Sequence, residues 1–373
     1  MKLSEPDRAA IQRRLAGNRL LEGLQLDEPA AVVSALCGVQ AQDLPAARLA
    51  VRARSTGLTD ASVERARVED RSVVRTWAMR GTLHLVAAED LVWLRELLAP
   101  GLIKASARRS EQLALDEHTY SQASTLLQKE LSGGALPRPE LKRIFENGGI
   151  DASGQRLFYL LYRAALEGLV CEGAQVGGQP SYVLVKEWLP DAHDRSGDLE
   201  LLLHRYLAAY GPAGPDDLAA WSGLRITDCR EVFAGARQDL EEMPVLGRPA
   251  WDLRHRSAPG DWHPTVRLLP AFDTFLLGFK DRGLHLDAPY ARRVNAGGGI
   301  VKPVLQVDGR VKGVWRLLRR GGRAEVQIAP FERLANAAQE LLVAEVQDIG
   351  RFLDAEVSFA VGKPEPPAEI IPR

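Results

Sequence analysis

Apolar positions in the first hundred residues recur at helical spacing and then alternate as they do in strands. Helices are predicted for PAAVVSALCGV, with Pro29 in the first turn, and for LPAARLAVRAR. Strands are predicted for VVRTWAM and TLHLVA, which the Arg80-Gly81 turn joins into a hairpin. An amphipathic helix, AEDLVWLRELLAP, follows and is predicted to end at Pro100.

The same order of helices and then a hairpin occurs twice more. The second set has the helical segments STLLQKEL, PRPELKRIFEN and GQRLFYLLYRAALEGL, followed by the Gly-rich hairpin VCEGAQVGGQPSYVLV. The third set has LELLLHRYLAAY, PDDLAAWSGL and TDCREVFAGA, followed by a short strand pair around MPVLGRPAWDL. Three helices and a hairpin wing make a winged helix, so we predict three such units, at 1–115, 116–195 and 196–258.

The pattern changes after about residue 260 to short alternating runs broken by glycine, and VDGRV is a strong two-residue hairpin signal. A helix, RLANAAQELLVAEVQDIGRFL, follows these runs. We predict a small C-terminal β-barrel domain over 259–360 and a loose tail over 361–373. The predicted fold class is therefore α+β: tandem winged-helix (three wHTH) units with a C-terminal β-barrel.

Composition supports a globular chain of several domains. The 373 residues are 46% apolar and 26% charged, which is enough for a large core. The three cysteines lie far apart without C-x-x-C spacing, which argues against a disulfide framework or a zinc site and fits a reducing compartment. The N-terminal segment lacks the apolar run of a signal peptide, and no uncharged stretch approaches 18 residues. We therefore expect a cytoplasmic protein.

Charge is balanced overall and biased locally. The net charge is −1, but Arg48–Arg80 holds eight arginines against four acidic residues, and Lys302–Arg323 holds seven basic residues against one. Basic faces of this kind suit salt-sensitive contact with phosphates. The alternative is a solvated surface whose counter-charges lie elsewhere in the fold. Repeated winged helices favour DNA as the partner, although such units also serve as protein-interaction scaffolds.

Catalytic motifs are largely absent from the chain. No G-x-G-x-x-G follows a strand, and neither a P-loop, H-E-x-x-H nor G-x-S-x-G occurs. His255 and His263, near Asp252 and Asp261, match no metal spacing and are interpreted as loop residues. His84 points opposite to its strand neighbours, toward a partner or solvent. Burial in the core is predicted for Trp77, Trp93, Trp221 and Trp315, and a structural role for the carboxylate of Asp273.

An unusual pair of amides occurs in GVQAQDLP, where Gln40 and Gln42 are separated by Ala41. On a helix, positions i and i+2 point about 200° apart, so the two side chains share a pocket only where the backbone is extended. The following DLP indicates such a break, with Asp43 as the N-cap of the next helix. Paired amides at a helix end also occur simply as hydrogen-bonding residues, which leaves two interpretations open.

Several segments in order, GVQAQD, RTWAMRGTLHLV, LAAWSGL, LLPAFDTFLLGF and VDGRVKGVWR, resemble the AlkZ/YcaQ-type DNA glycosylases over residues 10–355. The resemblance implies tandem winged helices and a β-barrel around a basic channel. The family's Gln-apolar-Gln or Gln-apolar-Asp motif corresponds here to Gln40, Ala41 and Gln42, so the chain resembles the Gln/Gln, AlkZ-like branch. Gln40 and Gln42 are thus the implied catalytic residues.

The implied activity is hydrolysis of the N-glycosidic bond of N7-alkylated purines and unhooking of interstrand crosslinks in double-stranded DNA. An N7-alkylated purine is cationic and leaves as a neutral base, so two amides that hold a water can suffice. No lysine adjoins the pair, which argues against a lyase. No metal or organic cofactor is implied, and a monomer is expected. The alternative is a non-catalytic winged-helix DNA-binding protein, either a regulator or a damage binder.

DNA contacts are predicted for two groups of basic residues. Arg48, Arg52 and Arg54 recur at helical spacing after the glutamine pair, and Arg75, Arg80 and His84 lie on or near the first hairpin. The small residues Ala41, Ala46 and Ala47 leave room for a bulky adduct.

Overall fold

The computed structural model describes residues 3–190, 197–257, 260 and 263–363. Helix α1 (Glu5–Gly17) precedes the first helix–hairpin set. This set consists of α2 (Pro29–Ala35), β1 (Val39–Gln40), α3 (Leu44–Arg52), α4 (Asp60–Val68), β2 (Val73–Trp77) and β3 (Leu83–Ala87). The predicted helices and hairpin are confirmed, and the mixture of helices and strands confirms the α+β class.

The long helix α5 (Leu91–Gln112) leads to a second set with the same element order. It consists of α6 (Glu117–Glu130), β4 (Leu136–Pro137), α7 (Arg138–Asn147), α8 (Arg156–Leu166), β5 (Val170–Glu172) and β6 (Ser181–Leu184), followed by the short α9 (Val185–Trp188). The third set consists of α10 (Leu199–Tyr210), α11 (Pro215–Ser222), α12 (Ile226–Gly235), β7 (Leu240–Glu242) and β8 (Trp251–Leu253). A bridge between Ala213 and Trp251 occupies the place of its first strand.

The C-terminal part is built mainly from strands. Its elements are β9 (Val266–Leu269), α13 (Thr274–Leu277), α14 (Ala291–Val294), β10 (Asn295–Gly297), β11 (Ile300–Val301), β12 (Val304–Val307), β13 (Arg310–Arg320), β14 (Arg323–Pro330), α15 (Asn336–Leu353) and β15 (Glu356–Val361). The VDGRV hairpin is confirmed, because Asp308 and Gly309 both have positive φ at the turn between β12 and β13.

Two larger sheets organise the molecule. The first has the order β1-β3-β2-β5-β6-β4, so the hairpins of the first two sets join edge to edge, with Arg75 opposite Glu172. The second has the order β15-β14-β13-β12-β9, with β9 and β15 as its edges in the part of the chain described. Closure of this second sheet into a barrel stays a prediction, as do the predicted domain limits.

One hydrophobic core joins the first set to the C-terminal sheet. Val33 and Leu49 pack in the same cluster as Leu268 of β9, Val326 of β14 and Ile349 of α15. The four tryptophans predicted to be buried are at most 7% exposed, which confirms their place in the core. The first set and the C-terminal sheet are thus held together by shared apolar burial, and the candidate site lies where they meet.

Two sequence predictions differ from the structure. Helix α5 does not end at Pro100 but continues to Gln112. Pro100 and Glu96 both lie on the exposed face, so water can hydrate the Glu96 carbonyl that lacks its helical donor. Residue 361, where the predicted loose tail begins, is the last residue of β15, which pairs in parallel with β14. The rest of the predicted tail, 364–373, lies outside the described residues.

His255 lies in a turn, and Asp261, which the sequence placed near it, is not among the described residues. No helix within the described ranges is long and apolar enough to cross a membrane.

Candidate active site

The backbone before the glutamine pair turns sharply out of α2. Cys37 and Gly38 both have positive φ, and the chain then enters the short strand β1, where Gln40 lies opposite His84 of β3. A Cβ on Gly38 would come within 2.7 Å of the Met79 side chain, so the close approach favours glycine. This break ends the helical pattern of AVVSALCGV and makes the following backbone extended.

The extended backbone brings the two amides together as the sequence predicted. Nε2 of Gln40 donates to Oε1 of Gln42 at 2.7 Å. Gln40 is buried, whereas Gln42 is exposed. Asp43 is the N-cap of α3 and accepts from the Ala46 amide at 3.1 Å, which confirms its predicted role.

Arg80 anchors the pair from the turn of the first hairpin. Its Nη2 donates to Oε1 of Gln40 at 2.7 Å, and its Nη1 donates to the carbonyl of Trp221 at the end of α11. Burial lowers the pKa of Arg80, and the nearby positive charge of Arg282 acts in the same direction. Arg80 therefore links the first and third sets through the candidate site.

The directions of these hydrogen bonds determine how the amides are oriented. An arginine only donates, so the Gln40 atom that faces Arg80 must be the oxygen, and its amide nitrogen must face Gln42. Gln42 then accepts through Oε1. Its Nε2 makes no hydrogen bond to any residue that the structure describes. Arg80, Gln40 and Gln42 are thus joined in a series of hydrogen bonds. At its outer end, Gln42 offers an N–H donor and an oxygen lone pair to a small polar molecule.

Arg80 occupies a strained and tightly packed position. Its φ of +56° lies in the left-handed region, which non-glycine residues adopt at a cost. Gly223, which caps α11 with φ +85°, packs against this turn. A Cβ on Gly223 would lie 3.1 Å from Cα of Arg80 and 3.2 Å from its backbone nitrogen. The third set therefore determines where the Arg80 turn lies.

A cleft of about 690 Å³ opens beside the pair. One wall carries Gln40, Gln42, Asp43, Arg80 and Thr82. The opposite wall comes from the C-terminal part and consists of Phe272, Leu277, Arg282, Asn295 and residues 297–301. A larger cavity of about 1300 Å³ between the end of α1 and α15 contains neither glutamine. We take the smaller cleft as the candidate site because the polarised amides face it.

The opposite wall presents a second half-buried cation besides Arg80. Nη1 of Arg282 donates to Oδ1 of Asn295 at 2.8 Å, and burial lowers the pKa of this arginine. The three consecutive glycines Gly297, Gly298 and Gly299 all have positive φ, and a Cβ on any of them would meet no atom within 4 Å. This hairpin tip therefore presents bare backbone to the cleft.

Two of the arginines predicted to contact DNA are buried in ion pairs, and for them the prediction is wrong. Arg52 is 1% exposed and bonds to Glu345 and Asp348 of α15. Arg54 is fully buried and makes a two-point contact with Asp273 at 2.6 and 2.9 Å. These guanidinium groups join α3 and the chain just after it to the C-terminal part and cannot reach a phosphate.

The structural role predicted for Asp273 is confirmed. Besides its contact with Arg54, Oδ1 of this carboxylate accepts from the amide of Phe275 at 2.9 Å and so caps α13. Arg48 lies closer to the surface than the two buried arginines but is paired with Asp60 and Glu64. A DNA contact of Arg48 stays a prediction.

Two residues of the first hairpin, Arg75 and His84, are also buried in the interior. For both, the prediction of a DNA contact is wrong. The guanidinium of Arg75 bonds to Glu172 and to the carbonyl of Ala41, which holds the backbone between the two glutamines. His84 is 2% exposed, and its Nδ1–H donates to the Thr82 carbonyl. Burial, with the nearby charge of Arg80, lowers the pKa of His84 to about 3, so the ring stays neutral.

The family profile described as "DNA glycosylase AlkZ-like" matches residues 33–352. The chain belongs to this AlkZ-like family. A curated Streptomyces sahachiroi relative named interstrand DNA cross-link repair glycosylase is 32% identical over 344 residues, covering 84% of this chain and 89% of the relative. The solved structure of Streptomyces sahachiroi DNA glycosylase AlkZ has a TM-score of 0.76 at 28% identity, covering 97% of this chain and 100% of that chain.

Membership of the AlkZ-like family confirms the resemblance found in the sequence and the prediction that the chain is a DNA glycosylase.

Sequence reasoning did not find the wall formed by Phe272, Arg282 and Asn295. LLPAFDTFLLGF was singled out, but a positive φ at Phe272 cannot be seen in a one-dimensional pattern. A group able to hold a metal ion, Glu200, His204 and Asp239, lies outside the cleft lining.

Proposed function

We propose that this chain is a monofunctional glycosylase that hydrolyses the N-glycosidic bond of N7-alkylated or crosslinked purines in duplex DNA. Gln40 and Gln42 position the attacking water. The observation that carries the proposal is the hydrogen-bonded amide pair, oriented by Arg80 and opening into a cleft in an AlkZ-like chain. The name of the Streptomyces relative supports crosslinked DNA as one substrate.

The chemistry suits neutral amides. Alkylation at N7 leaves the purine cationic, so the base departs as a neutral molecule and needs no strong general acid. The remaining task is to hold a water against the oxocarbenium-like sugar. The free Nε2–H of Gln42 can donate to the water oxygen, while amide oxygens accept hydrogen bonds from its O–H groups and favour the developing positive charge. The proton that the water loses as its oxygen bonds to the sugar carbon passes to solvent. Positioning of this kind lowers a barrier by about 7–11 kcal/mol at most.

The carboxylate of Asp43 contributes negative electrostatic potential to the cleft, and the two amides remain the groups that bind the water. The Asp43 carboxylate is held as the cap of α3 and also lines the cleft. A carboxylate beside a cationic sugar stabilises it through space. The two glutamines therefore hold the water, and Asp43 favours the charge that develops.

The three helix–hairpin sets are proposed as winged-helix units that bind the duplex. The order of helix, strand, two helices and two strands recurs in the first two sets, with β1 pairing to β3 and β4 to β6. In the third set the Ala213–Trp251 bridge replaces the first strand. Winged helices place a helix in the major groove and the hairpin along the backbone.

The cleft volume is within the usual range for a site that holds one small molecule, which suits an extruded base.

An oligonucleotide duplex with a single N7-methylguanine tests the proposal. Wild-type protein without added metal should create an alkali-labile site, and Gln40→Ala and Gln42→Ala should each slow single-turnover excision by about 10²-fold or more. The DNA affinity of both variants should be retained. Gln128→Ala, which removes an exposed glutamine of α6, is the matched control.

Two outcomes contradict parts of the proposal. Strand cleavage without alkali shows a lyase rather than a monofunctional enzyme. Tight binding with no abasic product favours the alternative of a regulator or damage binder. A duplex with a single nitrogen-mustard crosslink, resolved on a denaturing gel, separates unhooking from removal of monoadducts alone.

A further inference from the structure

Two strands of the C-terminal sheet extend beyond their neighbour as a two-stranded ribbon. The pairing of β12 with β13 ends at Val304 opposite Val314, whereas β13 and β14 stay paired as far as Arg320 opposite Arg323. We call residues 316–323 the arginine ribbon. Its exposed cations are Arg316, Arg319, Arg320 and Arg323.

The charge of this ribbon is poorly neutralised. Arg316 bonds to the neutral amide of Gln327, and Arg323 pairs with Glu356, where both side chains are largely exposed. Arg319 and Arg320 make no ion pair or hydrogen bond with any residue in the described ranges. The buried residues Arg52 and Arg54 are each paired with carboxylates. The two basic regions of the sequence therefore differ in how far their positive charge is neutralised.

The ribbon projects toward the end of the sheet where the cleft opens. The backbone amide of Trp315 donates to the carbonyl of Pro303, and Val301, two residues earlier, lines the cleft. Because β13 is antiparallel to β12, the strand continues past Trp315 at the end of the sheet where the chain enters β12 through Pro303. At about 3.3 Å of rise per residue, Arg319 and Arg320 lie about 16–20 Å past the Val304–Val314 pair.

The ribbon is supported on one side and open on the other. β15 pairs with β14 from Arg323 opposite Glu356 onward, and Ala324 and Val326 are buried in the core. The other edge, β13 from Arg316 to Arg320, has no partner strand among the described residues. Backbone N–H groups of that edge can therefore join the guanidinium groups in contacting an anion.

We propose that the arginine ribbon binds the phosphodiester backbone of duplex DNA to one side of the base held in the cleft. The 16–20 Å of strand between the Val304–Val314 pair and Arg319 and Arg320 matches the length of about five or six base pairs at about 3.4 Å each. The inference rests on the proposed function, since it takes duplex DNA as the occupant of the cleft. It adds a second contact region, outside the three helix–hairpin sets.

The test uses the double variant Arg319→Gln/Arg320→Gln in the full chain. Fluorescence anisotropy on an undamaged duplex of about 30 base pairs should show about tenfold weaker binding. The slope of log K against log salt concentration should become shallower by about two, one for each lost phosphate contact. The control, Arg8→Gln/Arg351→Gln, removes two exposed cations of α1 and α15, outside the three helix–hairpin sets, and Arg351 already pairs with Asp348. It should leave the affinity and the slope unchanged.

A series of duplexes with a single N7-methylguanine and one shortened arm locates the contact. For wild type, affinity should fall in one step once that arm becomes too short to reach the ribbon, and the ribbon variant should show no such step. At saturating enzyme, excision from the long duplex should be equally fast for both proteins, because the ribbon touches no reacting atom.

Two results would overturn the ribbon proposal. One is an unchanged affinity and salt slope in a monodisperse double variant. The other is aggregation of the variant with unchanged DNA affinity, which would assign the arginines to protection of an exposed strand edge. Failure of wild type to excise, with the ribbon variant still binding weakly, would reject the proposed function alone.

Discussion

Nη2 of Arg80 donates to the side-chain oxygen of Gln40 across 2.7 Å, although the two residues are 40 positions apart in the chain. Arg80 has no acceptor atom, so this contact determines which end of the Gln40 amide faces Gln42. The same guanidinium bonds to the carbonyl of Trp221. The orientation of the candidate catalytic pair therefore depends on the third helix–hairpin set, which supplies no side chain to the cleft lining.

Arg80→Lys should slow excision much more than it weakens DNA binding. A lysine has one ammonium group and cannot donate to Gln40 and Trp221 with the fork geometry of a guanidinium. Loss of amide orientation should reduce the single-turnover rate by about 10²-fold. Affinity for undamaged duplex should change less than about threefold, because at most one contact with a phosphate is affected. An equal fall in affinity and rate would instead identify Arg80 as the DNA contact that the sequence suggested.

Gly223→Ala should impair excision without altering a cleft residue. The new Cβ would press on the backbone of Arg80 at 3.1 Å and displace its turn. Gly247→Ala is a matched control, because Gly247 has a similar φ of +72° but open space around it. Both variants should lose about 1–2 kcal/mol in free energy of unfolding from the left-handed backbone. Chemical denaturation should show at least as large a loss for Gly223→Ala as for Gly247→Ala, and single-turnover assays should show a rate loss at position 223 alone.

His84 should make stability depend on pH in the acid range. Its pKa is lowered to about 3 in the folded chain, below the ordinary value of 6.5, so the unfolded chain binds more protons between these values. The free energy of unfolding therefore decreases as pH falls from about 6.5 toward 3, by at most about 1.4 kcal/mol per pH unit from this group. Urea denaturation at pH 7 and pH 4.5 measures the effect.

The His84→Asn variant isolates that contribution from those of other groups. The asparagine amide can donate to the Thr82 carbonyl as Nδ1–H does, but it does not titrate. The variant should lose less stability than wild type between pH 7 and pH 4.5. An identical loss in the two proteins would show that His84 is not kept neutral by burial.

Arg54→Met should be strongly destabilising, because it leaves the carboxylate of Asp273 buried without its partner. Removal of one member of a buried pair costs about 3–5 kcal/mol. The double variant Arg54→Met/Asp273→Asn removes the unpaired charge and should recover part of that loss in chemical denaturation. Near-wild-type stability of Arg54→Met, together with a shallower salt dependence of DNA binding, would restore the DNA contact predicted from the sequence.

Local sequence was sufficient for the elements and for the identity of the glutamine pair. Helical periodicity, the Asp-Gly turn and the break after AVVSALCGV act over a few neighbouring residues, so the helices, the hairpins and the extended Gln40–Gln42 segment could be predicted. The family resemblance then selected this pair as a site. Charge along the chain could not be interpreted in the same way. Arg52 and Arg319 look alike in sequence, yet one is buried against Glu345 and the other is exposed on a ribbon.

Tertiary structure alone decided the partners of the charged side chains, because burial and long-range pairing depend on contacts between distant segments. Arg54 finds Asp273 across 219 positions, and Arg75 finds Glu172 across 97. The opposite wall of the cleft and the contact of Gly223 with the Arg80 turn also depend on contacts between distant segments. The sequence by itself determined the local backbone and the two amides that it brings side by side. Their orientation required an arginine held by another part of the fold, since an amide has no intrinsic preference for which end faces its partner.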